Sequence, residues 1–297
     1  MKKKTVGIML SLSMAMSLMA CGSSTQPAAA SVDTEEPAAT TQAASTAEAT
    51  ASSTEAAADT AASTADVTTI KDGTLMVGVE IGYPPMEYFD TDGSTPIGFD
   101  VEVANALADY LGLELELVDT SWDGIFAGVD TGKYDCIISC VSITDERKEQ
   151  FNLTKPYVSN HTVLIVPNDS EIDSMEALNG HSTAVQAETT ADDYMKEHSA
   201  ELGAELFQYD KVINCFDDLK AGRTDSVFTD SVVAAYYLGD EASNYKTVWK
   251  NDELEPIGIC LKKGNDGLTQ AIDDALDALS ADPVHWVQSQ KSILAQT

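Results

Sequence analysis

Basic side chains are scarce in this sequence. Only 17 lysines and arginines stand against 49 aspartates and glutamates in 297 residues, so the formal net charge is −32. A chain this acidic is repelled by nucleic-acid phosphates and by anionic lipid surfaces. Neither of these is therefore a predicted partner.

Motifs for metals and nucleotides are also lacking. The four histidines are scattered and no Cys-x-x-Cys pair occurs. Cys136 and Cys140 would lie roughly 13 Å apart on a strand, which is too far for a disulfide. The segment from Gly128 to Lys133 is one residue too short for a phosphate-binding loop, and no Gly-x-Ser-x-Gly elbow is present. The sequence predicts no cofactor and no metal, and it predicts core positions for the cysteines after Cys21.

Long apolar runs are absent after the first 20 residues. Lys2 to Lys4 precede the apolar stretch Val6 to Met19, which predicts an export signal over residues 1–20. The run Leu-Met-Ala-Cys-Gly that ends at Gly22 resembles the lipobox of bacterial lipoproteins, which implies acylation of Cys21. Plain secretion with cleavage near Ala30 is the alternative. Either way, the protein is expected to work outside the cytoplasmic membrane.

Aromatic residues are missing from Gly22 to Thr68, a segment of Ala, Ser and Thr with scattered acids. Such a segment buries too little apolar surface to offset its ordering entropy. Residues 21–69 are therefore predicted to be a disordered tether that joins the anchored end to a folded body.

The folded body alternates apolar strand patterns with amphipathic helix patterns, which predicts an α/β fold. Asp100 is expected to cap a helix that ends at Gly112, and another helix is expected from Ser121 to Gly132. Other predicted elements are strands at 74–79, 113–118, 136–141, 161–166, 183–186, 225–229 and 257–261, helices at 174–178, 191–198, 216–222, 231–238 and 268–279, and a last helix from Pro283.

One predicted strand ends in a cluster of hydrogen-bond donors. The strand from Cys136 to Val141 contains Ser139 and Cys140, and Ser142 and the predicted helix cap Thr144 follow it. Backbone N–H groups at such a turn and the guanidinium of Arg147 suit a carboxylate. The alternative is an ordinary strand-turn-helix with an arginine at the surface.

Other strand ends supply further candidates for the same edge of the sheet. Glu80 and Tyr83 follow the first strand, and Trp122 opens a helix after the next strand. Ligands of such sheets bind beyond the carboxyl ends of the strands. A binding site is therefore predicted here, although Tyr83 could instead be a core residue.

The second half of the chain repeats this arrangement. Thr189 and Thr190 follow a strand and precede a helix, and Asp230 ends another strand. The sequence Gly-Lys-Tyr-Asp precedes the first donor cluster, and the similar sequence Gly-Arg-Thr-Asp precedes the strand that ends at Asp230. Two similar lobes are predicted, one with a cationic rim and one with a carboxylate. Taken alone, Asp230 could simply be a helix cap.

The residues then resemble a known family. The resemblance is carried by Leu75 to Glu80 with Tyr83-Pro-Pro-Met, Gly98-Phe-Asp-Val-Glu-Val-Ala, Trp122-Asp-Gly-Ile, and Asp135 to Arg147 with Pro156-Tyr157. The chain resembles the polar-amino-acid-binding lipoproteins of bacterial ABC transporters. That family has the type II periplasmic-binding-protein fold. The resemblance implies two Rossmann-like lobes joined by a two-crossing hinge near 158–160 and 249–255. Lobe 1 would comprise 70–159 plus 254–297, and lobe 2 would comprise 160–253.

The resemblance also implies roles for the candidate residues. The α-carboxylate of a free amino acid would be held by the backbone around Ser139 and Cys140, the Ser142 hydroxyl, Arg147 and the Thr189–Thr190 turn. Asp230 would hold its ammonium, Tyr83 and Trp122 would flank its side chain, and Glu80 would favour a basic or polar side chain. The implied partner is a membrane permease, reached by a lipid-anchored monomer on the outer face of the membrane. Alternatives are a sensory receptor domain and a cyclohexadienyl-dehydratase-like enzyme on the same fold.

Overall fold

The structure, a computed structural model, describes residues 67–281. The predicted signal peptide, Cys21, almost all of the predicted tether and the helix from Pro283 lie outside this range. No helix within it is long and apolar enough to cross a membrane.

Fourteen strands and seven helices follow one another along the described chain, with short 3-10 turns at Glu176–Leu178 and Gly239–Asn244. The strands are β1 (Thr74–Val79), β2 (Tyr88–Phe89), β3 (Pro96–Ile97), β4 (Glu114–Asp119), β5 (Cys136–Ile137), β6 (Phe151–Leu153), β7 (Val158–Asn160), β8 (Thr162–Pro167), β9 (Ser182–Gln186), β10 (Glu205–Tyr209), β11 (Ser226–Asp230), β12 (Tyr245–Lys250), β13 (Glu255–Ile257) and β14 (Cys260–Lys262). The helices are α1 (Phe99–Leu111), α2 (Trp122–Thr131), α3 (Asp145–Gln150), α4 (Thr190–Leu202), α5 (Val212–Lys220), α6 (Ser231–Leu238) and α7 (Asp266–Ala281).

Two five-stranded sheets share one topology. The sheet of lobe 1 has the order β4-β1-β5-β14-β6, and that of lobe 2 has the order β10-β9-β11-β8-β12. In each sheet the fourth strand, β14 or β8, is antiparallel to both of its neighbours, and the other four strands run parallel. The predicted fold of two similar α/β lobes is confirmed.

The chain crosses between the lobes twice. Strands β7 and β13 form an antiparallel ribbon in which Asn160 lies opposite Glu255 and Val158 lies opposite Ile257. Strand β13 begins at Glu255, the last residue of the expected 249–255, and Trp249 still pairs with Leu164 inside the sheet of lobe 2. The exact lobe limits given above stay a prediction.

Local signals identify some of the helix termini correctly and one of them wrongly. Gly112 and Gly132 end α1 and α2 in the left-handed conformation, as expected. The prediction that Asp100 caps α1 is wrong, because Gly98 occupies the cap position. Asp100 lies in the first turn with no exposed surface, and its carboxylate accepts hydrogen bonds from the backbone N–H of Cys140 and the Tyr157 hydroxyl.

Two predicted strands are shorter than expected. The strand expected from Cys136 to Val141 pairs only at Cys136–Ile137, since the backbone then turns and Cys140 adopts a positive φ of 46°. The strand expected over 257–261 is divided into β13 and β14. In both places the chain leaves its sheet at the boundary between the lobes.

Helix α2, which begins at Trp122, packs against β1 through a buried tyrosine. The Tyr134 hydroxyl donates to the carbonyl of Ile125, and the ring of Tyr134 fills the space above Gly78 and Gly128. A Cβ atom added at Gly128 would overlap this ring, whereas one added at Gly124 would meet nothing closer than 4.0 Å. The two glycines of α2 therefore differ in the space available to an added methyl group.

We predict opposite effects for two matched substitutions in α2. Gly128→Ala should destabilise the fold by about 1–3 kcal/mol, because the added methyl group displaces Tyr134. Gly124→Ala should stabilise the fold by about 0.4–1 kcal/mol through the reduced entropy of the unfolded chain. Urea denaturation of both variants measures the difference, and equal free energies of unfolding would contradict this packing.

Candidate functional site

All ten predicted binding residues line one cavity between the lobes. Lobe 1 contributes Glu80, Tyr83, Trp122, Ser139, Cys140, Ser142 and Arg147, and lobe 2 contributes Thr189, Thr190 and Asp230. Glu87, Gln186 and Ala191 also line the cavity but were missed by the sequence analysis. The carboxyl ends of β1, β5, β9 and β11 thus meet at one place, as expected for this class of sheet.

Arg147 is the cation of the site. Its guanidinium lies 4.9 Å from the centre of the Phe126 ring and 5.6 Å from that of Trp122, and one nitrogen donates to the carbonyl of Ser142. Burial lowers the pKa of Arg147. No carboxylate in the described part of the chain forms an ion pair with it. Most of its five donors are thus available to an anion.

The anion side continues across the cleft at the start of α4. The Thr189 hydroxyl caps this helix by accepting from the N–H of Asp192, and it donates to the carbonyl of Gln186. The first-turn amides of Thr190 and Ala191 have no partner within the helix, and both residues line the cavity. The turn offers backbone donors rather than the Thr189 hydroxyl.

Ser139 and Cys140 have partners other than those that the resemblance implies. The Ser139 hydroxyl accepts from the N–H of Glu80 at 3.0 Å and donates to the carboxyl of Glu87 at 2.6 Å. The N–H of Cys140 donates to Asp100 at 2.6 Å. These groups shape the cavity wall, and they are not free for a ligand carboxylate. Ser142 keeps an uncommitted hydroxyl among the residues described.

Asp230 is the acid of lobe 2. It holds the cap position of α6, but its side chain makes no capping hydrogen bond. One carboxylate oxygen instead accepts from the Tyr83 hydroxyl at 2.7 Å and lies 3.7 Å from the Cys140 sulfur. Burial, together with the negative charge of Glu255, raises the pKa of Asp230 to about 7. The site therefore holds a carboxylate that lacks a cation.

A pair of acids is buried behind the cavity wall. Burial and the neighbouring charge of Asp100 raise the pKa of Glu87 well above its usual range, and burial raises the pKa of Asp100 to about 6. The proton of this pair is therefore favoured on Glu87 rather than on Asp100. Glu87 follows two prolines in a loop, and no local pattern marks it as a member of this network.

Glu80 and Gln186 line a part of the cavity that offers hydrogen-bond acceptors, in contrast to the donors around Arg147. The Gln186 amide donates to one oxygen of Glu80 at 2.7 Å and to the carbonyl of Asp210 at 3.2 Å. The other oxygen of Glu80 and the side-chain oxygen of Gln186 are buried without a partner among the residues described. We call this pair the distal end. It offers two hydrogen-bond acceptors and can be recognised only once the lobes are placed together.

The lobes are closed over the cavity. Besides the contact of Tyr83 with Asp230 and that of Gln186 with Glu80, the Trp122 indole N–H donates to the carbonyl of Glu188 at 2.9 Å. Each of these bonds joins a strand end or helix start of lobe 1 to one of lobe 2.

Comparison with known proteins assigns the chain to a protein family. The family of bacterial extracellular solute-binding proteins, family 3, matches residues 75–287. The chain belongs to this family. An L-cystine-binding protein of Escherichia coli (strain K12) is 30% identical over 221 residues, which are 74% of this chain and 82% of that protein.

Solved structures agree with the assignment. An ancestral arginine-binding protein bound to arginine superposes with a TM-score of 0.70 at 32% identity, over 74% of this chain and 98% of that chain. The ancestral amino acid-binding protein AncCDT-1, a precursor of cyclohexadienyl dehydratase, superposes with a TM-score of 0.69 at 32% identity, over 74% of this chain and 95% of that chain. As a member of this solute-binding family, the chain has the two-lobed periplasmic-binding-protein fold that the sequence predicts.

Proposed function

We propose that this solute-binding protein captures a free amino acid between its lobes and presents it to the permease of an ABC importer. The observation that carries the proposal is the placement of Arg147 and Asp230. They belong to different lobes, line one cavity, and each lacks an opposite charge within the described chain. A zwitterion supplies both missing charges.

The anionic end of the ligand would lie against Arg147, the Ser142 hydroxyl and the first-turn amides of α4. Its ammonium would lie against Asp230, which Tyr83 orients. A carboxylate and an ammonium each lose several kcal/mol of hydration on burial unless both are paired. Because the two partners approach only on closure, the ligand binds the closed form more tightly and shifts the population towards it.

The ligand side chain would reach the distal end between Tyr83 and Trp122. The unpartnered oxygens of Glu80 and Gln186 both accept hydrogen bonds. A side chain that carries N–H groups satisfies them, and an apolar side chain would leave two buried acceptors unpaired. This favours a basic or polar amino acid, in line with relatives whose names state arginine or cystine binding.

The proposed location of the protein rests on its N-terminal sequence and on its family. The lipobox-like segment at Cys21 supports a lipid anchor on the outer face of the membrane, and the tether would let a monomeric body reach the permease. The closed lobes would be the form that the permease recognises. A sensory partner in place of the permease would need the same ligand site, and co-purification with the transport subunits distinguishes the two.

Variants of the two charged residues test the ligand mode. Arg147→Ala and Asp230→Asn should each lose about 2–5 kcal/mol of affinity, because each leaves one ligand charge buried and unpaired. Arg223→Ala is the matched control, since Arg223 is exposed and pairs only with Asp218. A thermal-shift screen against the twenty amino acids, cystine and ornithine reads the result. Undiminished stabilisation in both site variants would remove these residues from the ligand site.

The affinity should also depend on pH. In the closed lobes without a ligand, burial raises the pKa of Asp230 to about 7, so below this pH the closed form holds a proton that the ligand ammonium must displace. The affinity should therefore fall with decreasing pH, approaching about tenfold per pH unit well below the pKa. Calorimetry in two buffers of different ionisation enthalpy should show protons released at pH 6 and few at pH 8. A Glu80→Gln variant is the control that distinguishes proton release by Asp230 from proton release by Glu80. An affinity that does not change with pH would contradict this role of Asp230.

A dehydratase is the second candidate, favoured by the similarity to AncCDT-1. An enzyme of that class needs an acid in the cleft. Burial raises the pKa of Glu87 well above its usual range and that of Asp230 to about 7. Incubation with prephenate-like acids tests it. We expect no turnover, because the unpaired Arg147 and Asp230 match a zwitterion rather than a dicarboxylate.

A further inference from the structure

A cation stands behind the distal end of the cavity. Lys211 directly precedes α5, and its ammonium donates to the carbonyl of Ile81 across the cleft at 3.3 Å. Ile81 follows Glu80 in the chain, and the carbonyl of Asp210, next to Lys211, accepts the Gln186 amide. Lys211 therefore belongs to the same cluster as the two free acceptors, although it comes from lobe 2 and lines no part of the cavity wall itself.

Lys211 changes the charge that a ligand meets at this end. Burial raises the pKa of Glu80, and this effect is opposed first by the hydrogen bond from Gln186 and then by the charge of Lys211. Two other acids lie near Glu80. Asp119 is exposed, and its carboxylate accepts from the N–H of Ile81 at 3.1 Å. Glu87 is buried, and burial raises its pKa well above its usual range. The polar cluster around the distal end thus includes the Lys211 ammonium, which offsets part of the negative charge of Glu80.

A side chain that ends in a cation gains less from such an arrangement than from a lone carboxylate. It would place a second positive charge close to Lys211 in a site with little water. A terminal group with both N–H donors and an oxygen acceptor avoids this repulsion. It can donate to Glu80 and Gln186 and turn its oxygen towards the positive potential of Lys211. An amide has this chemistry, and so does a second amino-acid head.

We propose that Lys211 is a specificity-determining residue, which makes the cavity select an amino acid whose side chain ends in a neutral or zwitterionic donor–acceptor group over one that ends in a cation. The inference rests on the proposed function and narrows it. L-Glutamine represents the amide and L-cystine the second amino-acid head. L-Arginine and L-ornithine represent cations.

Lys211 also joins the lobes, and this second effect must be separated from its charge. Removal of a lobe contact weakens every ligand alike, because it penalises closure itself. Tyr237 provides a matched control: its hydroxyl donates to the carbonyl of Gly82 at 3.2 Å, one residue beyond the Lys211 contact. Tyr237→Phe removes a neighbouring lobe contact without any change of charge. Lys211→Gln removes the charge and keeps a hydrogen-bond donor.

Calorimetric titration of the wild type and both variants with the four ligands tests the proposal. The wild type should bind glutamine or cystine more tightly than it binds arginine and ornithine. The tighter ligand of glutamine and cystine identifies the terminal group as an amide or as a second amino-acid head. Lys211→Gln should shift the ratio of arginine to glutamine affinity towards arginine by about tenfold, since a like charge has been removed near the side chain. Lys211→Met should shift it in the same direction, and Tyr237→Phe should leave the ratio unchanged.

Two results would overturn the proposal while the proposed function survives. One is a wild type that prefers arginine or ornithine, and the other is an unchanged ligand ratio in both Lys211 variants with binding retained. Failure of the wild type to bind any of the four, or any amino acid in the thermal-shift screen, would instead overturn the proposed function and this inference with it.

Discussion

The site depends on two buried charges that have no ion-pair partner among residues 67–281. The Arg147 guanidinium lies against two aromatic rings with a single hydrogen bond, and Asp230 is so poorly compensated that its pKa is about 7. Separated on open lobes, the two groups can be hydrated; brought together in a closed cleft, they need a ligand of matching charges. The unfavourable burial of each group is therefore what couples ligand binding to closure.

A second set of acids is tied into a hydrogen-bond network that shapes the cavity wall. Asp100 receives the N–H of Cys140 and the Tyr157 hydroxyl, while Ser139 links Glu87 to the backbone of Glu80. A non-glycine residue at positive φ costs about 1–3 kcal/mol, and the charge-assisted bond from Cys140 to Asp100 offsets this. The network explains why the backbone at Cys140 serves the wall of the cavity rather than the ligand.

Prediction from the sequence succeeded where the signal is local and failed where it is not. Strand β1 and helix α6 have the expected bounds, and Thr144 caps α3 through its side chain. Asp100 resembled a cap because it is an acid at the start of a helical pattern, but the cap position is set by the backbone turn at Gly98. Gln186 was read only as the end of a strand, since its partner Glu80 is 106 residues away in the chain.

The sequence by itself determined the α/β class, the two similar lobes and a set of candidate residues at strand ends, because periodicity and turn residues act over a few neighbouring positions. It also determined that the candidates would converge, since parallel strands share one carboxyl edge. Only the tertiary structure decided which donors remain free, as at Ser142 and Arg147, and which are consumed, as at Ser139 and Cys140. It alone placed Lys211 behind Glu80. Hydrogen-bond satisfaction and local electric potential depend on distances between remote segments, and no local pattern encodes them.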